Sequence, residues 1–177
     1  GVALNSDFTV KVRLQDGVWH TLSSYLIKVD EVRDTRHYVE NASMAIFDFT
    51  GKVEVAVTYN LGEVQTAKVR PLSYDIPFQI DGNTVTFTLE HPRNLSVEVN
   101  GDIFHNFHLF TGSPERTIPD KDNPEVIYFG PGIHTVKNGE LRVPSGKTVY
   151  LAGGAVLMGR VLIENVHDVK LLGRGII

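Results

Sequence analysis

Val143-Pro144-Ser145-Gly146-Lys147-Thr148-Val149-Tyr150-Leu151-Ala152-Gly153-Gly154-Ala155-Val156-Leu157 sets two very short apolar runs between glycines. Val126 to Phe129, Val161 to Ile163 and Val169 to Leu172 repeat that texture, with Gly159, Gly173 and Gly175 punctuating the later runs. A strand of this length cannot bury a face by itself and must stack on like neighbours. Val149-Tyr150-Leu151 and Val169-Lys170-Leu171 lie about 20 residues apart, the length of one solenoid rung. The pattern predicts the first rungs of a right-handed parallel β-helix over residues 126–177. Gly173-Arg174-Gly175-Ile176-Ile177 carries no cap and no polar terminator. The expectation is therefore that further rungs follow, and that this is a fragment with an open end able to self-associate.

Upstream, residues 113–125 have a different character. Thr111-Gly112-Ser113-Pro114-Glu115 through Asp120-Lys121-Asp122-Asn123-Pro124 contains three prolines and few apolar residues, as an exposed linker does. Residues 1–112 read as strand after strand. Phe8, Val10, Val12 and Leu14 alternate with polar residues and are expected on one buried face. Asp16-Gly17 gives a turn, and Val18 to Leu22 a return strand. Val53, Val55, Val57 and Tyr59 repeat the period. A hairpin is predicted from Ile76-Pro77-Phe78-Gln79-Ile80 through Asp81-Gly82-Asn83 to Val85-Thr86-Phe87-Thr88-Leu89. Pro77 cannot donate to a ladder, which places that arm at an edge or a bulge. Leu95, Val97 and Val99 form another strand, closed by Asn100-Gly101. No stretch holds a helical period between two caps. The predicted fold is all-β: an N-terminal antiparallel β-sandwich, a linker, and the opening of a parallel β-helix.

Composition narrows the function classes. Seventeen Lys and Arg stand against 21 Asp and Glu, for a formal charge of -4, and the two signs alternate. No basic stripe offers itself to phosphates, so nucleic acid is not an expected partner. There is no apolar run long enough for a membrane span and no signal peptide. The absence of cysteine excludes disulfides and thiolate metal sites.

Several segments resemble one family. Leu95-Ser96-Val97-Glu98-Val99-Asn100-Gly101-Asp102 and Phe104-His105-Asn106-Phe107-His108-Leu109-Phe110 look like the closing strands of the N-terminal sandwich of bacterial glycoside hydrolases related to dextranases, isopullulanase and polygalacturonases. Val126-Ile127-Tyr128-Phe129-Gly130-Pro131-Gly132-Ile133-His134 resembles their entry into the β-helix, residues 143–157 the first rung, and residues 173–177 the end of the second. The likeness covers residues 42 to 177, and the sandwich favours the dextranase-like branch. It implies a secreted, periplasmic or cell-envelope enzyme, its signal peptide removed, that hydrolyses a polysaccharide with inversion using two carboxyl groups about 6.5–9.5 Å apart. The family's Asp-Asp, Gly-His-Gly and Arg-x-Lys motifs are missing here. Asn100-Gly101-Asp102 matches Asn-x-Asp but sits at a turn. No catalytic residue, metal ligand or cofactor is therefore assigned, and the expected function is the non-catalytic N-terminal portion of such a hydrolase.

Other side chains carry candidate chemistry. His105 and His108 stand at i and i+3 of a strand, on opposite faces, and cannot share a metal ion without a bulge. Asp120, Asp122, Asn123 and Glu125 have calcium-type oxygens but lack the spacing of a calcium loop. Asp30, Glu31, Asp34, Arg33 and Arg36 read as surface ion pairs. Gly130-Pro131-Gly132 and Gly153-Gly154 precede neither a helix nor Lys-Ser/Thr, and are turns. The residues placed at a carbohydrate surface are Trp19, Tyr25, Tyr38 and Tyr74, the last three near irregular stretches, because a ring face can stack on a pyranose. They support an alternative, a stand-alone carbohydrate-binding module. A structural assembly domain pairing through the open end is the third alternative.

Overall fold

The computed structural model describes residues Val2–Ile177, which form two compact units, Val2–Pro114 and Glu115–Ile177. In the first unit the strands are β1 (Phe8–Arg13), β2 (Trp19–Leu22), β3 (Tyr25–Arg33), β4 (Arg36–Asp48), β5 (Val53–Tyr59), β6 (Ala67–Arg70), β7 (Phe78–Asp81), β8 (Thr84–Leu89), β9 (Leu95–Val99) and β10 (Asp102–Gly112). One helical turn, Leu72–Tyr74, interrupts them. They make two five-stranded sheets, ordered β2-β1-β5-β8-β7 and β3-β4-β10-β9-β6.

The period-two pattern is what fuses the sheets into one core. Val10, Val12, Val53, Val55, Val57, Val85 and Phe87 from the first sheet pack with Val69, Leu95, Val97, Phe107 and Leu109 from the second. Each is a member of an alternating set whose partners point the other way. Leu14 departs from the expected face. It lies beyond the last residue of β1 and is 37 % exposed. The first sheet is antiparallel throughout, but the second is mixed, because β4 and β10 run parallel, Phe107 beside Ser43. The expected wholly antiparallel arrangement is corrected at that pair. Pro77 precedes β7, which lies at a sheet edge and pairs only with β8 among the described strands. Phe78 and Ile80 are consequently exposed.

The longest hairpin is one the residue pattern concealed. β3 and β4 pair from Tyr25–Met44 to Arg33–Arg36, and Asp34 turns the chain with a φ of 56°. The segment carries Asp30, Glu31, Arg33 and Arg36, and its outer half is largely exposed apart from the buried Glu31. Charge there hides the strand period. Of the expected pairs Arg33 with Glu31 forms, though the Glu31 carboxylate is buried and not on the surface, and His37, which was not expected to pair, meets Asp30.

The second unit contains β11 (Val126–Phe129), β12 (Gly132–Arg142), β13 (Thr148–Leu151), β14 (Ala155–Leu162) and β15 (Lys170–Gly173). All of their pairings are parallel. β11, β13 and β15 form one ladder, and β12 and β14 another. Val126 lies beside Thr148 and Thr148 beside Lys170, a repeat of 22 residues. Val149 therefore stacks on Ile127 and Leu171, not on Val169 as the sequence spacing implied. Val143, Val149, Leu151, Ala155 and Leu157 are buried, with Phe129 and Val161 packed against them. β12 is largely polar and lies outside the short apolar runs that the sequence marks as strands. Its register with β14 shifts between Thr135 and Glu140, opposite Gly159. The acidic run is a turn, in which Asp120 Oδ1 accepts the Asp122 N–H and Asn123 Oδ1 the Glu125 N–H. No helix among the described residues is long and apolar enough to cross a membrane.

Candidate functional site

The four candidate sugar-contact rings are dispersed. Trp19 lies on the edge strand β2 opposite Arg13, whose guanidinium sits 4.8 Å from the ring centre and pairs with Glu54. Arg33 lies 5.0 Å from the Tyr38 ring, and Arg93 4.2 Å from the Tyr74 ring. Each of these three aromatic residues is 38 % exposed. Tyr25 and Tyr38 lie inside regular strands, at opposite ends of the β3–β4 hairpin, contrary to the irregular surroundings expected for them. Tyr74 follows β6, at the other edge of the same sheet. No single surface holds all four.

A different set of residues does converge. Tyr25, Met44, His108, Ser96 and Arg70 stand in direct register across β3, β4, β10, β9 and β6. Residues opposed in this way share a face, and here it is the face turned away from Leu95, Val97, Phe107 and Leu109 in the core. At the β6 end of the row is a depression of about 560 Å³ lined by Arg70, Pro71, Leu72, Asn94, Leu95, Ser96, His108 and Phe110. The His108 and Phe110 rings, two residues apart on one strand face, lie 8° from parallel with centres 6.3 Å apart.

The electrostatics of the depression are close to neutral. Burial holds the His108 imidazole below its ordinary pKa of 6.5, so it is uncharged at neutral pH. Arg70 donates to Glu98, a buried carboxylate placed diagonally from it on the next strand, opposite Lys68. Asn94 Oδ1 accepts the Thr111 N–H at 3.2 Å. No carboxylate lines the depression among the described residues. It has the parts of a binding surface and lacks those of an acid–base pair.

His105 belongs to a second cluster. Its Nδ1 is 3.0 Å from Asp102 Oδ2 and its Nε2 3.1 Å from Glu40 Oε2. Burial would raise the Asp102 pKa, but backbone N–H groups of His105 and Phe104 and the His105 ring outweigh it and hold the carboxyl below its usual value. β10 is irregular between Asp102 and Phe107, so simple alternation does not govern His105. Among the described residues no three His, Asp or Glu side chains are placed to hold a metal ion.

Phe110, Asn94, Ser96 and Arg70 were not anticipated. The remote strand β6 and the consecutive strands β9 and β10 deliver them, and only the His108–Phe110 spacing was a local signal.

No protein-family model matches the sequence, and no curated protein does. Among solved structures the chain is similar to Dex49A from Penicillium minioluteum, at a TM-score of 0.67 and 17 % identity. The match covers 99 % of this chain and 46 % of that one, so the chain spans less than half of Dex49A's length. At that identity the likeness is one of fold.

Proposed function

We propose that this chain is the N-terminal, non-catalytic portion of a polysaccharide-degrading glycoside hydrolase of dextranase-like or polygalacturonase-like type. Residues 1–112 are its β-sandwich, 113–125 a linker, and 126–177 the opening rungs of a right-handed parallel β-helix. The observation that carries this is the fold likeness to Dex49A, a dextranase, over nearly all of this chain and under half of that one. The 22-residue parallel register supports it, since a repeating rung is the unit from which a solenoid is built. The parent enzyme acts by inversion, on two carboxyl groups supplied by later rungs. A secreted or periplasmic location follows from a polymeric substrate that cannot enter the cell.

Hydrolysis of dextran, pullulan and polygalacturonate is the test. The chain alone should release no reducing ends, while the longer protein from the same gene should do so on one of the three. Enzyme-like turnover by residues 1–177 overturns the non-catalytic assignment, and inactivity of the longer protein on all three overturns the parent class.

The half-exposed Trp19, Tyr38 and Tyr74 favour a second reading, a stand-alone carbohydrate-binding module. Affinity electrophoresis on immobilised glycans tests it. Retardation by a glycan without any longer gene product would favour it over the first.

A further inference from the structure

We propose that the depression between β6, β9 and β10 is a subsite for one neutral pyranose unit of a glycan. This deepens the proposed function, on which the choice of a glycan as ligand rests. Pyranose recognition needs an apolar platform for the sugar's C–H face and a few hydrogen-bonding groups for its hydroxyls. The depression has both. Phe110 is 38 % exposed and its ring lies nearly parallel to that of His108, while Pro71, Leu72 and Leu95 form apolar walls. Its volume of about 560 Å³ falls within the range of about 300–1,000 Å³ common to small-ligand sites.

The polar groups are placed and uncommitted. Within the described residues, the ring nitrogens of His108 and the hydroxyl of Ser96 make no hydrogen bond, and the two residues are opposed in register. An uncharged imidazole offers one donor and one acceptor, and a hydroxyl offers both, which suits the vicinal hydroxyls of a sugar. Asn94 spends its carbonyl oxygen on Thr111 and keeps its amide N–H groups.

Charge decides between neutral and acidic sugars. Arg70 is the one cation lining the depression, and the buried Glu98 neutralises it. A uronate would meet no net positive charge and would lie near the Glu98 carboxylate. The site therefore fits a hexose and disfavours a uronic acid.

The whole chain titrated with isomaltotriose and, separately, with trigalacturonate provides the test, followed by amide chemical shifts. Isomaltotriose should give saturable shifts centred on Asn94, Ser96, His108 and Phe110, with a dissociation constant on the order of 1 mM. Phe110→Ala should weaken binding about tenfold by removing the platform. His108→Leu keeps an apolar side chain in the stack, removes both nitrogens, and should weaken binding about fivefold. The second variant keeps the test decisive should the first fail to fold. Absence of saturable shifts, shifts centred on Trp19 or Tyr38 with the depression silent, or tighter binding of trigalacturonate would overturn the subsite. Dextran hydrolysis by the longer protein distinguishes the two failures, since it sustains the proposed function even where the subsite is lost.

Discussion

The Tyr150 hydroxyl donates a 2.8 Å hydrogen bond to Glu115 Oε2 across 35 residues of chain. The Tyr150 ring is 1 % exposed and lies 5.2 Å from Tyr128, its register neighbour in the parallel ladder. Burial first, then the Glu115 carboxylate, push the phenol up to about 12. A raised pKa in the folded chain means stability that is full below the ordinary tyrosine value of 10.0 and lost as pH rises through the folded value. In an alkaline titration followed by phenolate absorbance, one of the six tyrosines should ionise last, near pH 12. Tyr150→Phe should remove that late step. A variant whose titration curve keeps the late step assigns it to another ring.

Glycine at 173 is required by space and by backbone together. Its φ is 117°, and a Cβ there would stand 1.9 Å from the Leu151 carbonyl oxygen. Gly82 also has a positive φ, 58°, but faces open space. Gly173→Ala should cost more than about 3 kcal/mol, against about 1–2 kcal/mol for Gly82→Ala. Urea denaturation of both variants checks the ordering, and equal losses would mean that β15 does not lie against Leu151 in solution.

Acid should act on His108 before it acts on most carboxylates. Burial lowers this imidazole's pKa, so the folded chain takes up the proton less readily than the unfolded chain. The stability is fully present above 6.5, the ordinary value, and drains away as pH falls through the folded value. His108→Leu should flatten the stability profile below about pH 6.5. The Asp102 contribution, whose pKa is also lowered, is present above the ordinary carboxyl value of 3.8, is lost only as pH falls below it, and should be unaffected. Denaturation midpoints measured at half-unit pH steps resolve the two windows.

Trp19 is the single tryptophan, and Arg13 covers one face of it at 4.8 Å. Arg13→Ala should shift its fluorescence emission to the red, while stability changes by less than about 1 kcal/mol because the pair is well solvated. An unchanged spectrum would show that the guanidinium leaves the ring in solution.

Where alternation was strict, the sequence foresaw the strand and its buried face. Val53 to Tyr59, Val85 to Leu89 and Leu95 to Val99 are read directly, since a period of two has one meaning once one face is dry. Charge erased that signal in the β3–β4 hairpin, and polarity erased it in β12, where pairing comes from parallel neighbours instead of a buried face. The Gly-punctuated runs announced stacking, but short apolar strings match one another at several offsets. Only hydrogen-bonded register separates Leu171 from Val169 as the neighbour of Val149.

The candidate site was the less legible part. Trp19, Tyr25, Tyr38 and Tyr74 are visible as ring types, and ring type says nothing of where a ring points or which arginine covers it. By itself the sequence determined that the protein is all-β and where most of its core strands run, because local periodicity and burial are the same fact seen twice. Tertiary structure alone decided that Arg70, Ser96, His108 and Phe110 meet, because strand order and register are set by long-range hydrogen bonds with no local residue pattern to record them.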